Sequence, residues 1–183
     1  MERDKGIQIK EITNENLHGG LLKGFDRTQS VEKVWRIIDG KKQVVACAFT
    51  ESWNERLLRD IIFGDFAEAM EFGGKVFLAY EEDRLLGFAT LGGEPLGLDG
   101  EYLQLIQLHV SFSERGKGVG KKLFFRCMQE AKEMGAKKVY ISSHSSVETQ
   151  AFYASAGCVD AKWIFEAQVE HEPYDIQLEY PIQ

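Results

Sequence analysis

The chain has 183 residues and a formal net charge of −7, a length that suits one domain with a sizeable core. Apolar residues make up 44% of it and charged residues 28%, with no low-complexity tract or internal repeat, which argues against disorder beyond the first few residues. The acidity excludes a general nucleic-acid binder, which needs a basic face, and leaves a positively charged acceptor open.

The start, Met1-Glu2-Arg3-Asp4-Lys5, is charged and is followed by no apolar stretch, and the longest apolar run, Val44 to Phe49, is far too short to span a bilayer. The expectation is a cytoplasmic protein that does not engage membranes. Cys47, Cys127 and Cys158 are odd in number and widely spaced. They read as reduced, packed thiols rather than a disulfide framework or a zinc site.

In chain order, Ile7 to Thr13 reads as a strand, and Leu17 to Gly24 is ambiguous because its glycines weaken a helix. Val31 to Ile38, Asp39-Gly40 and Gln43 to Phe49 read as a hairpin, since Asp-Gly suits a turn with positive φ at both central residues. Ser52 stands three residues before Glu55, the spacing of a capping box. Leu57, Leu58, Ile61, Ile62, Phe66 and Met70 then recur at helical intervals up to Gly73-Gly74. Strands follow at Lys75 to Tyr80 and Leu85 to Leu91. A glycine-rich loop, Gly92 to Gly100, leads to Tyr102 to Phe112. Lys117 to Met134 reads as a helix, Lys138 to Ser143 as a strand and Ser146 to Ala156 as a helix. Ala161 to Val169 and Ile176 to Tyr180 are expected as an antiparallel strand pair. The pattern is α/β, with a mixed sheet.

The strongest signal lies between the strand ending near Val110 and the helix starting near Gly118: Arg115-Gly116-Lys117-Gly118-Val119-Gly120. A strand, glycine turn and helix in this order point several free N–H groups at one place and favour an anion. Arg115, Lys117, Lys121, Lys122 and Arg126 surround the turn with no acid among them. A P-loop does not fit, because only three residues separate Gly116 from Gly120-Lys121 and no Ser or Thr follows. A dinucleotide fingerprint does not fit either, because the glycines are evenly spaced and the next strand ends in Ser142-Ser143 rather than an acid.

Val110 to Gly120 resembles the coenzyme A-binding motif of the GNAT acyltransferases, whose core is [Q/R]-x-x-G-x-[G/A], and Phe152-Tyr153 followed by Gly157 is similar to that family's later helix and turn. The resemblance implies a mixed, mostly antiparallel central sheet flanked by helices. It implies one domain over residues 1–183, divergent over 1–74 with the extra hairpin, and with a coenzyme A-binding core over 75–183. It further implies acetyl-coenzyme A as co-substrate, no metal, and a small-molecule or amino-terminal amine as acceptor. Family members often form homodimers, and this chain carries no independent sign of one.

By the same resemblance, main-chain groups of Arg115, Gly116, Lys117, Gly118, Val119 and Gly120 would hold the pyrophosphate. Leu108 and Val110 would pair with the pantetheine arm as an added strand does. Tyr153 would protonate the departing sulfur. The acceptor must lose a proton, because at a pKa near ~10.4 only about one amine in a few thousand is neutral at pH 7. No base stands out: the family's usual strand position holds Gln104, an amide, which cannot act as a base, and Glu101, His109, His144 or a water relay stay open. The acids Glu166, Glu170, Glu172 and Asp175 are expected in a loop beside the acceptor pocket, with Trp35 and Trp53 as further candidates for its wall. A non-catalytic acyl-coenzyme A binder and a nucleotide-binding domain are the competing readings.

Overall fold

The computed structural model describes residues 6–182, so the charged start lies outside the described residues. Nine strands run β1 (Gln8–Ile12), β2 (Gln29–Ile38), β3 (Lys41–Glu51), β4 (Lys75–Glu81), β5 (Arg84–Leu91), β6 (Tyr102–Val110), β7 (Lys138–Ser143), β8 (Val159–Asp160) and β9 (Ile176–Pro181). Seven of them form one sheet in the order β1-β4-β5-β6-β7-β9-β8. Only β6 and β7 are parallel in it; every other pairing is antiparallel. This is the mixed, largely antiparallel sheet that the element order implies.

Each face of the sheet carries its own apolar cluster. On one face, Phe77, Ala79, Leu103, Leu105 and Ile141 meet Leu123, Phe124, Cys127 and Ala131 of helix α3 (Val119–Glu133) and Tyr153 and Ala156 of helix α4 (Val147–Ala156). On the other, Val76, Leu78, Leu85 and Phe88 meet Leu21 and Leu22 of the ambiguous segment and Phe25 just after it, together with Ile61, Ile62 and Phe66. Phe66, Phe77, Phe88 and Phe124 are fully buried, and each such side chain contributes about 1.5–3 kcal/mol to the core.

The helical run before β4 has an irregular middle. Helix α1 (Glu55–Asp60) passes into a π-turn at Ile61–Phe66 and then into helix α2 (Ala67–Glu71), which ends before Gly73. Its N-cap is Asn54, whose side chain accepts from the Leu57 N–H at 2.9 Å. The capping box expected from Ser52 is therefore corrected: the chain turns helical two residues later, and the amide oxygen of Asn54 takes the orphan N–H.

The hairpin β2–β3 forms its own two-stranded sheet, closed at Asp39 (φ 51°) and Gly40 (φ 72°), the positive-φ pair that Asp-Gly favours. It docks on the loop after β7. Trp35 N–H donates to Ser145 O at 2.8 Å, Arg36 Nη1 donates to Ser145 Oγ at 2.6 Å, and the Phe49 ring meets His144 edge-on.

The expected strand over Ala161 to Val169 is a second correction. Val159 and Asp160 pair with β9 and Ala161 N–H adds a last hydrogen bond to Gln177 O at 3.0 Å, while Glu166–His171 form a short helix, α5. The aromatic run Trp163-Ile164-Phe165 folds over Tyr140 instead, with Trp163 and Phe165 stacked at 5.8 Å. Packing on the sheet face thus overrides the strand propensity of these residues.

Replacing Asn54 with Ala is expected to lower unfolding free energy by about 1 kcal/mol. Ser52→Ala is expected to change it by no more than about 0.5 kcal/mol. Denaturant melts of the two variants check the cap assignment.

Candidate functional site

The sheet opens at its centre. β6 pairs with β7 only through Tyr102, Leu103 and Gln104, opposite Lys138, Val139 and Tyr140. Beyond that point β7 continues against β9 as far as Ser143, while β6 continues against β5 alone. A register shift marks the divergence: Thr90 pairs with Gln107 and Leu91 with Leu105, so Ile106 is an extra residue. Leu103 and Leu105 point into the α3 cluster before the bulge, and Leu108 and Val110 pack against the same cluster after it.

The ladder fixes which backbone groups face the opening. Ser111 N–H donates to Leu86 O at 2.8 Å, which makes 86/111, 88/109 and 90/107 the bonded pairs. The N–H and C=O groups of Leu108 and Val110 therefore point away from β5, toward the gap that β7 leaves. Arg115 Nε caps the Val110 carbonyl at 3.2 Å.

At the end of β6 comes the glycine turn. Gly116 and Gly118 have φ of 75° and 85°, which a side chain would strain, and a Cβ at either would meet nothing within 4 Å. The first helical hydrogen bond runs from Lys122 N–H to Gly118 O. No described residue accepts from the N–H groups of residues 116–121. α3 has no acid in its first turn and carries Lys121 and Lys122 there instead. That arrangement opposes the helix dipole in the bare protein and suits a bound anion.

The basic residues around the turn divide by role. Glu114 is buried and takes Lys117 Nζ at 3.2 Å, Ser113 Oγ at 2.9 Å and the Arg84 guanidinium. Burial pushes the Glu114 carboxyl up, but the Ser113, Lys117 and Arg84 hydrogen bonds outweigh it and hold the group below its usual range. Arg126 lies over the Phe77 ring and pairs with Glu130 at 2.8 Å, away from the turn's free amides. The N-terminal segment braces the same corner: Asp26 N–H donates to Ser111 Oγ at 3.1 Å and Phe112 N–H to Asp26 O at 2.8 Å.

Tyr153 lies on α4, 8% exposed, with its ring against Phe124 and Phe152. Leu108, Val110 and Phe152 pack on the cluster that contains it. Its hydroxyl has no hydrogen-bond partner among the described residues. Burial raises its pKa, with Cys158, Cys127 and Asp175 adding, so the hydroxyl keeps its proton.

Each candidate histidine has its Nδ1 lone pair already engaged. His109 is wedged between the Phe88 and Trp53 rings and accepts from Arg27 Nε at 3.2 Å. Burial, with Arg27 and Arg115, pushes it down to about 3. His144 Nδ1 accepts from Ser146 N–H at 3.1 Å, so Nε2 carries the proton and has no lone pair to offer. Glu101 accepts from Asp99 N–H at the start of β6. Trp53 packs in the second core and Trp35 on the hairpin; neither lines the cavity described next.

A cavity of about 200 Å³ opens on the α1–α2 side of β6. Gln104 and Ile106 form its floor, Asp65, Glu68 and Phe72 one wall, and Glu94, Leu96 and Phe165 the other. Three carboxylates and no basic side chain line it. The carboxylates that line this cavity are Asp65, Glu68 and Glu94; Glu166, Glu170 and Glu172 are exposed and lie off it, and Asp175 is half-buried and accepts from Ser142 Oγ at 3.1 Å. Asp65 was legible as a signal: it stands four residues after Ile61 and four before Ala69, a carboxylate on the core-facing stripe of a helix. Among the described residues no group of His, Cys, Asp and Glu is placed to hold a metal, and no helix is long and apolar enough to cross a membrane.

The sequence model of the Acetyltransferase (GNAT) family matches residues 41–158. No curated protein matches the chain in sequence. Among solved structures, nourseothricin acetyltransferase superposes with a TM-score of 0.70 at 15% identity, covering 97% of this chain and 99% of its own. A protein from Bacillus anthracis str. Ames, assigned as a streptothricin acetyltransferase and solved with acetyl coenzyme A, gives 0.70 at 17% identity over 95% and 96%. The ribosomal-protein-S18-alanine N-acetyltransferase of Escherichia coli gives 0.56 at 15% over 97% and 95%. At these identities the likeness is one of fold.

Because Glu114 titrates lower folded than unfolded, its contribution to stability is complete above its ordinary value of 4.5 and is lost as pH falls through the lower folded one. Glu114→Gln is therefore expected to destabilise the protein at pH 7 and to shrink the wild type's further loss between about pH 5 and pH 3. Melting temperature against pH for both proteins checks this.

Proposed function

The chain belongs to the acetyltransferase (GNAT) family, and from that premise we propose that it moves the acetyl group of acetyl-coenzyme A to the primary amine of a cationic small molecule or amino terminus. The reading takes residues 1–183 as one domain, with 1–74 a divergent part built around the hairpin and 75–183 the coenzyme A-binding core. The observation that carries it is the cavity on the bulged strand, lined by Asp65, Glu68 and Glu94 and by no cation. Asp65, half-buried in that wall, attracts an ammonium more than a carboxylate in open water does, and the exposed Glu68 and Glu94 add to the same negative field.

The other parts fit the co-substrate. The amides of residues 116–121, without acceptors of their own, suit a pyrophosphate, and Lys121 and Lys122 add charge around it. The unpaired edge at Leu108 and Val110 suits an extended amide-bearing arm laid down as an extra strand. Acetyl-coenzyme A supplies the activated thioester. The Leu108 N–H, directed into the gap, is a donor for the carbonyl oxygen as charge builds on it. Tyr153, protonated and without a partner, is the donor for the departing sulfur. Structural relatives named as a streptothricin acetyltransferase and as a ribosomal-protein-S18-alanine N-acetyltransferase support an acceptor that is a small molecule or a protein amine.

Thiol release from acetyl-coenzyme A is measured against putrescine, spermidine, L-lysine, glucosamine and an alanine-initiated tetrapeptide. Turnover is expected with amines that are cationic at pH 7. Tyr153→Phe is expected to lower kcat by ~10²-fold or more, with affinity for coenzyme A unchanged by calorimetry. Coenzyme A binding without turnover on any amine would favour a sensor over an enzyme.

A further inference from the structure

We propose that Asp65 is the general base of the transfer, taking the proton from the acceptor's ammonium, and that Gln107 is the residue that positions it. The assignment rests on the acetyl-transfer reading above and names the group that neither histidine can supply.

Asp65 stands in the cavity wall, on the π-turn between α1 and α2. Such a turn shifts the side chains that follow it relative to a regular helix, and π-turns cluster at functional sites. Here the turn leaves Ile61, Ile62 and Phe66 in the core, with the one carboxylate of that stripe facing β6. Gln107 Nε2, on β6 just past the bulged Ile106, donates to Asp65 Oδ2. Oδ1 is left for a ligand. The wall therefore presents a carboxylate oxygen beside Ile106, the bulged residue two positions past the last pairing of β6 with β7.

Asp65 selects the orientation of the Gln107 amide. The Nε2 donor faces the carboxylate, because the flipped amide would set two oxygens against each other. Gln107 Oε1 is sealed from solvent and has no partner among the described residues, and the same is true of Thr90 Oγ1 on the residue opposite it in the ladder.

The electrostatics agree with the geometry. Burial raises the Asp65 pKa, the Gln107 hydrogen bond opposes the rise, and Glu68 and Asp60 add to it. Glu94 faces it across the cavity, and no basic side chain lines that space. Partial burial also disfavours the charged form of an ammonium, so both partners move toward their neutral forms and the proton transfer becomes less uphill.

The step balances as follows. Asp65 Oδ1 takes one proton from the bound ammonium and frees the nitrogen lone pair. The nitrogen attacks the thioester carbonyl carbon, and a C–N bond forms. The carbon–sulfur bond breaks, and the sulfur leaves with its electron pair and takes a proton from Tyr153. The nitrogen loses its second proton on forming the amide, which restores the Tyr153 hydroxyl through solvent. Asp65 returns its proton to water, so each turnover yields amide, thiol and one proton.

The test uses the full-length chain, acetyl-coenzyme A and whichever amine of that panel turns over fastest. Asp65→Asn is expected to cut kcat at pH 7 by ~10²-fold or more while leaving coenzyme A affinity and the circular dichroism spectrum unchanged. The deficit should shrink toward pH 10, where solution supplies the neutral amine. Asp65→Glu should recover part of the rate. Wild-type kcat should fall at low pH as Asp65 is protonated. Gln107→Met should move that fall to higher pH, because it removes the donor that holds the Asp65 pKa down; a purely structural role would leave the pH of the fall where it is. Asp65→Asn within about threefold of wild type, or a deficit equal at pH 7 and pH 10, would overturn the assignment and leave acetyl transfer standing. Wild type that acetylates no amine would overturn both.

Discussion

A single strand loses its partner halfway along, and the rest of the site depends on that. β6 is hydrogen-bonded on both sides through Gln104 and on one side only from Leu105 onward. In a sheet interior this would leave unpaired amides and carbonyls at a cost of about 1–3 kcal/mol each. The structure tolerates it because the divergence lies at a gap open to a ligand, and because Arg115 covers one of the exposed carbonyls. The residues that hold the two halves of the sheet apart are few. Ile106 adds the extra residue to β6, and the parallel pairing with β7 is confined to Tyr102, Leu103 and Gln104.

The bulge also divides the strand between two tasks. Leu108 and Val110 turn their side chains to the α3 cluster and their backbone groups to the gap. Gln104 and Ile106 face the cavity on the opposite side of the sheet, and Gln107 meets Asp65 there. An acyl donor held along the first and an amine held in the second would meet where β6 leaves β7. On the proposed reading the glycine turn would hold the far end of the donor. Its helix is built for an anion by its free amides and by the absence of any acid in its first turn.

The core of this arrangement was legible in the sequence where a local rule decides the outcome. The Asp39-Gly40 turn, the glycine turn at 116–120 and the ends of α3 and α4 at Gly135 and Gly157 each depend on backbone conformations that few residues adopt. Leu108 and Val110 follow from the resemblance of Val110 to Gly120 to the family's motif. The failures have a common cause. Ser52 and Asn54 both suit a cap, and only the path of the chain chooses between them. Trp163 to Val169 carries strand-forming residues, but tertiary contacts with Tyr140 fold part of it into a turn and α5. The acidic wall was sought in the most acidic stretch near the end of the chain. The carboxylates that line the cavity are Asp65, Glu68 and Glu94, the first two on the helical run before β4 and the third in the loop before β6. A cluster brought together by the sheet leaves no local pattern. Only Asp65, on the buried stripe of its helix, betrays itself.

The central claim is that the unpaired edge of β6 and the amides of the glycine turn are one binding surface for acetyl-coenzyme A. Residue-resolved amide hydrogen exchange, with and without saturating acetyl-coenzyme A, tests it most directly. The account predicts that Leu108, Val110 and residues 116–121 exchange readily in the free protein and become protected together when the ligand is added. Binding that protects other amides and leaves these at their free-protein rates would contradict it.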